Sequence, residues 1–188
     1  MGDYSNNIIT LDGKTPRIDA SAFIAHNAVI IGDVSIGPGS GIWYNAVLRG
    51  DLAELRIGAE TNIQDGTVIH VDSRTQPTLI GDNVTVGHMA LIHAATLEDG
   101  CLVGMKSVVM DEAVVGEGAV VAAGAVVTPG KRVGAGELWA GTPAKYLRPV
   151  SDSDRELMNY ILPTYRDLAD KYIDHGLDLR AMARDEDA

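Results

Sequence analysis

Cysteine is almost missing from this chain. Cys101 stands alone, so no disulfide can close within the chain, in keeping with a reducing compartment. Its place four residues after Leu97, a small position of the repeat described below, reads as packing and not as a nucleophile. Long apolar runs are missing too, since no 18-residue stretch is apolar enough for a spanning helix. Residues 1–17, with Asp3, Asp12 and only Lys14 as an early cation, lack the charged-then-apolar layout of a signal peptide. The expectation is a cytoplasmic protein with no membrane partner. Basic residues are scarce: 15 Lys plus Arg face 26 Asp plus Glu, a formal charge of −11. Such a surface repels a phosphate backbone and gives no attraction to anionic lipid, which argues against nucleic acid as a partner.

What is abundant is aliphatic, and it is periodic. Ile18, Ile24, Ile30, Ile36, Ile42 and Leu48 lie six apart, as do Leu97, Val103, Val109, Val115, Val121, Val127, Val133 and Trp139. Between these runs the register continues through Ile57, Ile63, Ile69, Ile80, Val86 and Ile92. Glycine often follows the aliphatic residue (Gly37, Gly58, Gly81, Gly104), and a small residue often sits four places after it (Ala28, Ala46, Ser107, Ala125). A six-residue period marks a parallel β-helix in which each hexad is a short strand and a corner. The fold class expected is all-β, a parallel β-helix with a C-terminal α-helix.

One domain of 1–188 is expected, with a lead-in strand over 1–17, the β-helix over 18–148, a helix over 149–176 and an acidic tail over 177–188. Ser151 or Ser153, followed by Asp154 and Glu156, resembles a helix start, and Leu157, Ile161, Leu168 and Tyr172 follow at helical spacing before Gly176. Pro163 predicts a kink or break. The ending Arg184-Asp185-Glu186-Asp187-Ala188 reads as frayed. Flat solenoid faces suit association, and closed cyclic symmetry is the economical outcome.

The irregular hexads all fall between residues 48 and 97: three residues are extra after Leu48, five after Ile69, and one is missing after Ile92. Interruptions of a strict scaffold are where function is placed. If three hexads make a coil, the hexads opening at Leu48, Ile69 and Ile92 stack, and their second residues, Arg49, His70 and His93, form one outward column about 4.8 Å apart. Asp65 and His88, third residues of stacked hexads, form a second column elsewhere. His70 and His93 are spaced to share a metal at bonds of about 2.0–2.1 Å. His88 projects from another face, and the corner of a neighbouring subunit would bring it to the same ion. A three-histidine site at a subunit interface follows, with a fourth position for water. Each ligand's second ring nitrogen needs an acceptor, either Asp65 or a backbone carbonyl. His26 and His175 lack such company and read as structural or solvent-facing.

The segments Asn45-Ala46-Val47-Leu48-Arg49-Gly50-Asp51, Asn62-Ile63-Gln64-Asp65-Gly66-Thr67-Val68-Ile69-His70, Gly87-His88 and Ile92-His93 resemble the gamma-class carbonic anhydrase family over nearly the whole chain. The resemblance implies left-handed winding, a homotrimer, and reversible hydration of carbon dioxide to bicarbonate by a metal-bound hydroxide. It implies His70 and His93 of one subunit and His88 of the next as ligands to zinc, with iron or cobalt as alternatives. It further implies an interface ion network of Arg49, Asp51 and Asp65, a hydrogen bond from Gln64 to the bound hydroxide, Asn62 in the pocket wall, and Tyr165 reaching the site from the helix. Two features depart from the family pattern. Leu52 stands where active members carry glutamate after the aspartate, and the loop after His70 is short, with Asp72 its only acid. Weak turnover is therefore expected. Two other readings of the repeat stand beside this one: a coenzyme A-dependent hexapeptide acyltransferase using one histidine as base, and a non-catalytic metal-binding or assembly protein.

Overall fold

The computed structural model describes residues 7–72 and 76–179. Three hexads complete a coil, and the coils stack into a parallel β-solenoid of about seven turns. One face, called the helix face below, stacks Phe23–Ile24, Gly41–Ile42, Asn62–Ile63, Thr85–Val86, Leu102–Val103, Val120–Val121 and Glu137–Ala140. A second, the histidine face, carries the first halves of Val29–Ile36 and Val47–Ile57, then Val68–His70, Leu91–His93, Val108–Val109 and Val126–Val127. The remaining open face begins at Arg17–Ile18 and continues through the second halves of the two long strands to Thr78–Ile80, Thr96–Leu97, Val114–Val115 and Arg132–Val133.

Each hexad puts its aliphatic residue inside, so Ile30, Leu48, Ile69, Ile92 and Val109 are fully buried in one continuous core. The small residues close the corners. Where they are polar, the hydroxyl is satisfied by a backbone carbonyl: Ser107 donates to Gly104 at 2.6 Å and Ser40 to Gly58 at 2.7 Å. Cys101 is one of these corner residues, 1% exposed, and burial pushes its thiol far above the ordinary range, so it is inert. The glycine after the aliphatic residue is required by contact between coils. A Cβ at Gly104 would stand 2.5 Å from the Ala123 nitrogen of the next coil.

The three extra residues after Leu48 are not a loop. Val47–Ile57 is one 11-residue strand that turns the corner, and its register against Val29–Ile36 shifts between Gly32 and Val34. The extra residues bulge outward there and carry Asp51 and Leu52. The missing residue after Ile92 tightens a corner in which Ala94 takes φ +46°. In the five-residue insertion, Asp72 and Gln76 bridge; Ser73, Arg74 and Thr75 lie outside the described residues.

The C-terminal helix spans Asp152–Asp174. Ser151 caps it, its hydroxyl accepting from Asp154 N at 3.3 Å while the Asp154 carboxylate accepts from Ser151 N at 2.7 Å. The helix does not break at Pro163, which lies inside it. Pro163 and Asn159 are both exposed, so the carbonyl that loses its helical donor faces water. Beyond it, Tyr165, Leu168, Ala169 and Tyr172 hold the helix against Phe23, Trp43 and Tyr44. The apolar stripe also starts elsewhere than expected: Leu157 is 54% exposed, and Met158 packs toward the coil in its place. The lead-in contributes Ile8–Ile9, parallel to Ile30–Ile31. At the other end of the chain, residues 177–179, expected to begin the acidic tail, instead turn back over the first coil. Asp178 accepts a 2.9 Å hydrogen bond from Ile24 N, and Leu179 enters the core. The frayed ending at 184–188 lies outside the described residues. Among the described residues no helix is long and apolar enough to cross a membrane.

Candidate metal centre

The histidine face holds Arg49, His70 and His93 in one register, each directly above the last. From the outward bulge, Asp51 folds back over this column. Its Oδ1 lies 2.9 Å from His70 Nε2, and its Oδ2 pairs with the Arg49 guanidinium. Burial works to raise the Asp51 carboxyl, but hydrogen bonds from His70 and Arg49 outweigh it and leave the group below the ordinary carboxylate value. Asp51 is therefore an anion that accepts from His70 Nε2–H. One coil on, Asp111 Oδ1 lies 2.5 Å from His93 Nδ1 and does the same there.

These two carboxylates decide the tautomers. With the proton of His70 on Nε2 and that of His93 on Nδ1, the lone pairs left over belong to His70 Nδ1 and His93 Nε2. Those two nitrogens face one another at 3.1 Å. Two acceptors at that distance repel, and a cation between them turns the repulsion into attraction. Bonds of about 2.0–2.1 Å in a tetrahedral shell place two nitrogens about 3.3–3.4 Å apart, so little movement is needed.

His88 sits on the turn between the helix face and the histidine face. Asp65, one coil before it, places Oδ2 2.9 Å from His88 Nδ1, and Gln64 Oε1 accepts from the His88 backbone N–H at 3.2 Å. The Tyr165 hydroxyl reaches His88 Nε2 at 3.1 Å from the helix. Burial, and after it the Asp65 charge, raise the Tyr165 hydroxyl above its ordinary value. Asn62 is 4% exposed and lines a small cavity beneath the helix with Trp43, Tyr165, Arg166 and Ala169. Its amide oxygen and nitrogen, and the Trp43 indole nitrogen, have no hydrogen-bond partner there.

Within one chain the structure thus brings together Arg49, Asp51, His70 and His93, and separately Gln64, Asp65, His88 and Tyr165. Asp65 meets His88 and not the Arg49–Asp51 pair of its own chain. Among the described residues no group of three or more metal-ligating side chains converges. His26 stacks edge-on to Tyr44 at 5.3 Å, and His175 contacts the Lys171 carbonyl at the helix end. Asp111 was missed by sequence reasoning. Its signal was available, as an acid on the coil following His93 one residue beyond the histidine column.

Residues 94–129 match the family model described as bacterial transferase hexapeptide (six repeats). The chain is 46% identical over 161 residues to gamma carbonic anhydrase 2, mitochondrial, of Arabidopsis thaliana, covering 83% of this chain and 58% of that one. It is 46% identical over 153 residues to a carbonic anhydrase of Geobacillus kaustophilus, covering 81% of this chain and 84% of that one. The chain belongs to the gamma-class carbonic anhydrase family. It spans about three fifths of the length of the Arabidopsis relatives it matches. Among solved structures, a hexapeptide transferase family protein from Anaplasma phagocytophilum superposes with a TM-score of 0.83 at 46% identity, covering 87% of this gamma-class chain and 96% of that chain.

Proposed function

We propose that this gamma-class chain is a carbonic anhydrase-like lyase whose metal is held between subunits of a homotrimer, by His70 and His93 of one subunit and His88 of the next. The observation that carries this reading is the approach of His70 Nδ1 and His93 Nε2 to 3.1 Å, with a carboxylate on the far nitrogen of each ring. The relatives named for the same activity support carbon dioxide and bicarbonate as substrate and product. A bound divalent cation of the zinc class supplies hydroxide at neutral pH by lowering the pKa of water from 15.7 to about 7.

The chain's own residues do the rest. Asp51, Asp65 and Asp111 hold the histidine rings in their tautomers and raise their basicity. Arg49 fixes Asp51 from the side away from His70. Gln64 and Asn62, both almost fully buried beside the His88 turn, supply polar atoms to orient carbon dioxide. Leu52, 52% exposed on the bulge beside Asp51, offers no proton acceptor, so the slow step is export of a proton to solvent or buffer.

Metal content and bicarbonate formation together test this reading. Protein purified without added metal or chelator should carry near one equivalent of zinc, iron or cobalt per chain and hydrate carbon dioxide, and His93→Ala should lose both. Metal-free protein that transfers an acyl group from coenzyme A would instead favour the transferase reading, which the Anaplasma structure supports.

A further inference from the structure

His88 has both ring nitrogens engaged within its own chain. Asp65 Oδ2, 2.9 Å from Nδ1, fixes the ring proton there and leaves the lone pair on Nε2. That lone pair accepts the Tyr165 hydroxyl at 3.1 Å. A cation that takes His88 needs the same lone pair, because the other nitrogen is protonated and facing a carboxylate. The two interactions exclude each other.

We infer that the Tyr165 hydroxyl is a latch on His88, a placeholder that a metal ion must displace, so that metal capture is coupled to the packing of the C-terminal helix. The inference rests on His88 being the third ligand, as proposed above. The hydroxyl is aimed by ring packing. Tyr165 meets Trp43 edge-on with centroids 5.2 Å apart, and Trp43 in turn packs on Phe23 at 4.9 Å and Tyr172 at 5.5 Å. These contacts tie the tyrosine to the helix face and not to the histidine face. Displacing the hydroxyl from Nε2 therefore perturbs the Trp43 stack before it perturbs the coil. Without metal, the latch satisfies a half-buried nitrogen and holds the helix at the His88 turn. With metal, that helix contact is given up. A ligand that binds only the unlatched state shifts the population toward it and binds more weakly by the cost of unlatching.

Zinc affinity measured by competition with a chromophoric chelator on metal-stripped protein tests the latch. Tyr165→Phe removes the competing hydroxyl and keeps the ring, so it should bind zinc about 2- to 10-fold tighter than the parent, the equilibrium equivalent of one net hydrogen bond. Tyr160→Phe, altered at a 68% exposed position of the same helix, should bind like the parent. In a Trp139→Phe background, whose remaining described indole is Trp43, zinc should change tryptophan emission in the parent and change it less in Tyr165→Phe. Equal or weaker zinc binding by Tyr165→Phe overturns the latch; should that variant fold poorly, Tyr165→Met makes the same comparison. His88→Ala separates the two ideas. If it binds zinc as tightly as the parent, the ligand assignment fails. If it loses zinc while Tyr165→Phe matches the parent, only the latch fails.

Discussion

At the scale of single residues, carboxylates decide what the histidines can do. His70 and His93 stood out as a stacked pair by counting hexads alone, because position in a strict repeat fixes both face and register. Counting places Cα atoms and not ring nitrogens, so the tautomers had to come from Asp51 and Asp111, which lie on a bulge and on a later coil. Asp111→Asn should therefore keep the fold and weaken metal affinity about 10- to 100-fold, by chelator competition, since the amide is a poorer partner for the His93 Nδ1–H. A change smaller than twofold would make Asp111 a bystander. Leu52 supports a kinetic expectation. Carbon dioxide hydration should be modest in dilute buffer and rise with buffer concentration, as external base takes the proton that Leu52 cannot accept, and Leu52→Glu should flatten that dependence. Fast turnover indifferent to buffer in the parent would contradict it.

At the scale of elements, the solenoid and the helix are held by different chemistry. Close coil contacts make glycine irreplaceable at certain turns. Gly104→Ala should cost about 1–3 kcal/mol in denaturant unfolding, because the added methyl meets the Ala123 backbone and not a yielding side chain. The helix depends on its first turn. Ser151→Ala should lower stability by about 1 kcal/mol through loss of the cap. Hydrogen bonds from Arg148, then Ser151, hold the Asp154 carboxyl well below the ordinary range of 3.8. A depressed carboxyl contributes stability above its unfolded pKa and loses it as pH falls through the folded one. The Tm difference between parent and Asp154→Asn should thus be constant above about pH 4 and shrink below it. The helix start was legible in Ser151 and Asp154, and so was the packed part of the stripe at Leu168 and Tyr172, but its first turn was not. Leu157 has the right spacing, yet Tyr165 and Tyr172 meet Phe23, Trp43 and Tyr44 in one aromatic cluster, and that attraction sets the helix rotation.

At the scale of the whole molecule, the divided ligand set makes a prediction about assembly. If His88 serves a neighbour's His70 and His93, then His88→Ala and His93→Ala chains should each bind metal poorly, yet regain it when co-refolded. Random rings leave about a quarter of interfaces with all three ligands. Metal content in mixed trimers verified by two affinity tags is the measurement, and no recovery would place the site within one chain. The β-helix itself was legible because every coil repeats one instruction; the chain's path over its own ends was not, because Asp178 and Leu179 carry no repeat. That path has a consequence for how such a molecule can change length. The helix leaves the last coil at Val150 and ends beside Ile24 in the first, where Asp178 is anchored. Its 23 residues measure about 35 Å at 1.5 Å each, against about 29 Å for six steps of 4.8 Å between seven stacked strands. The helix is a calliper closed on the stack. One more coil would need about three more helical residues to reach, and three residues turn the aromatic stripe by about 300°. Gain or loss of a single coil therefore misses either the anchor or the phase, and the number of turns is locked by a segment that belongs to none of them.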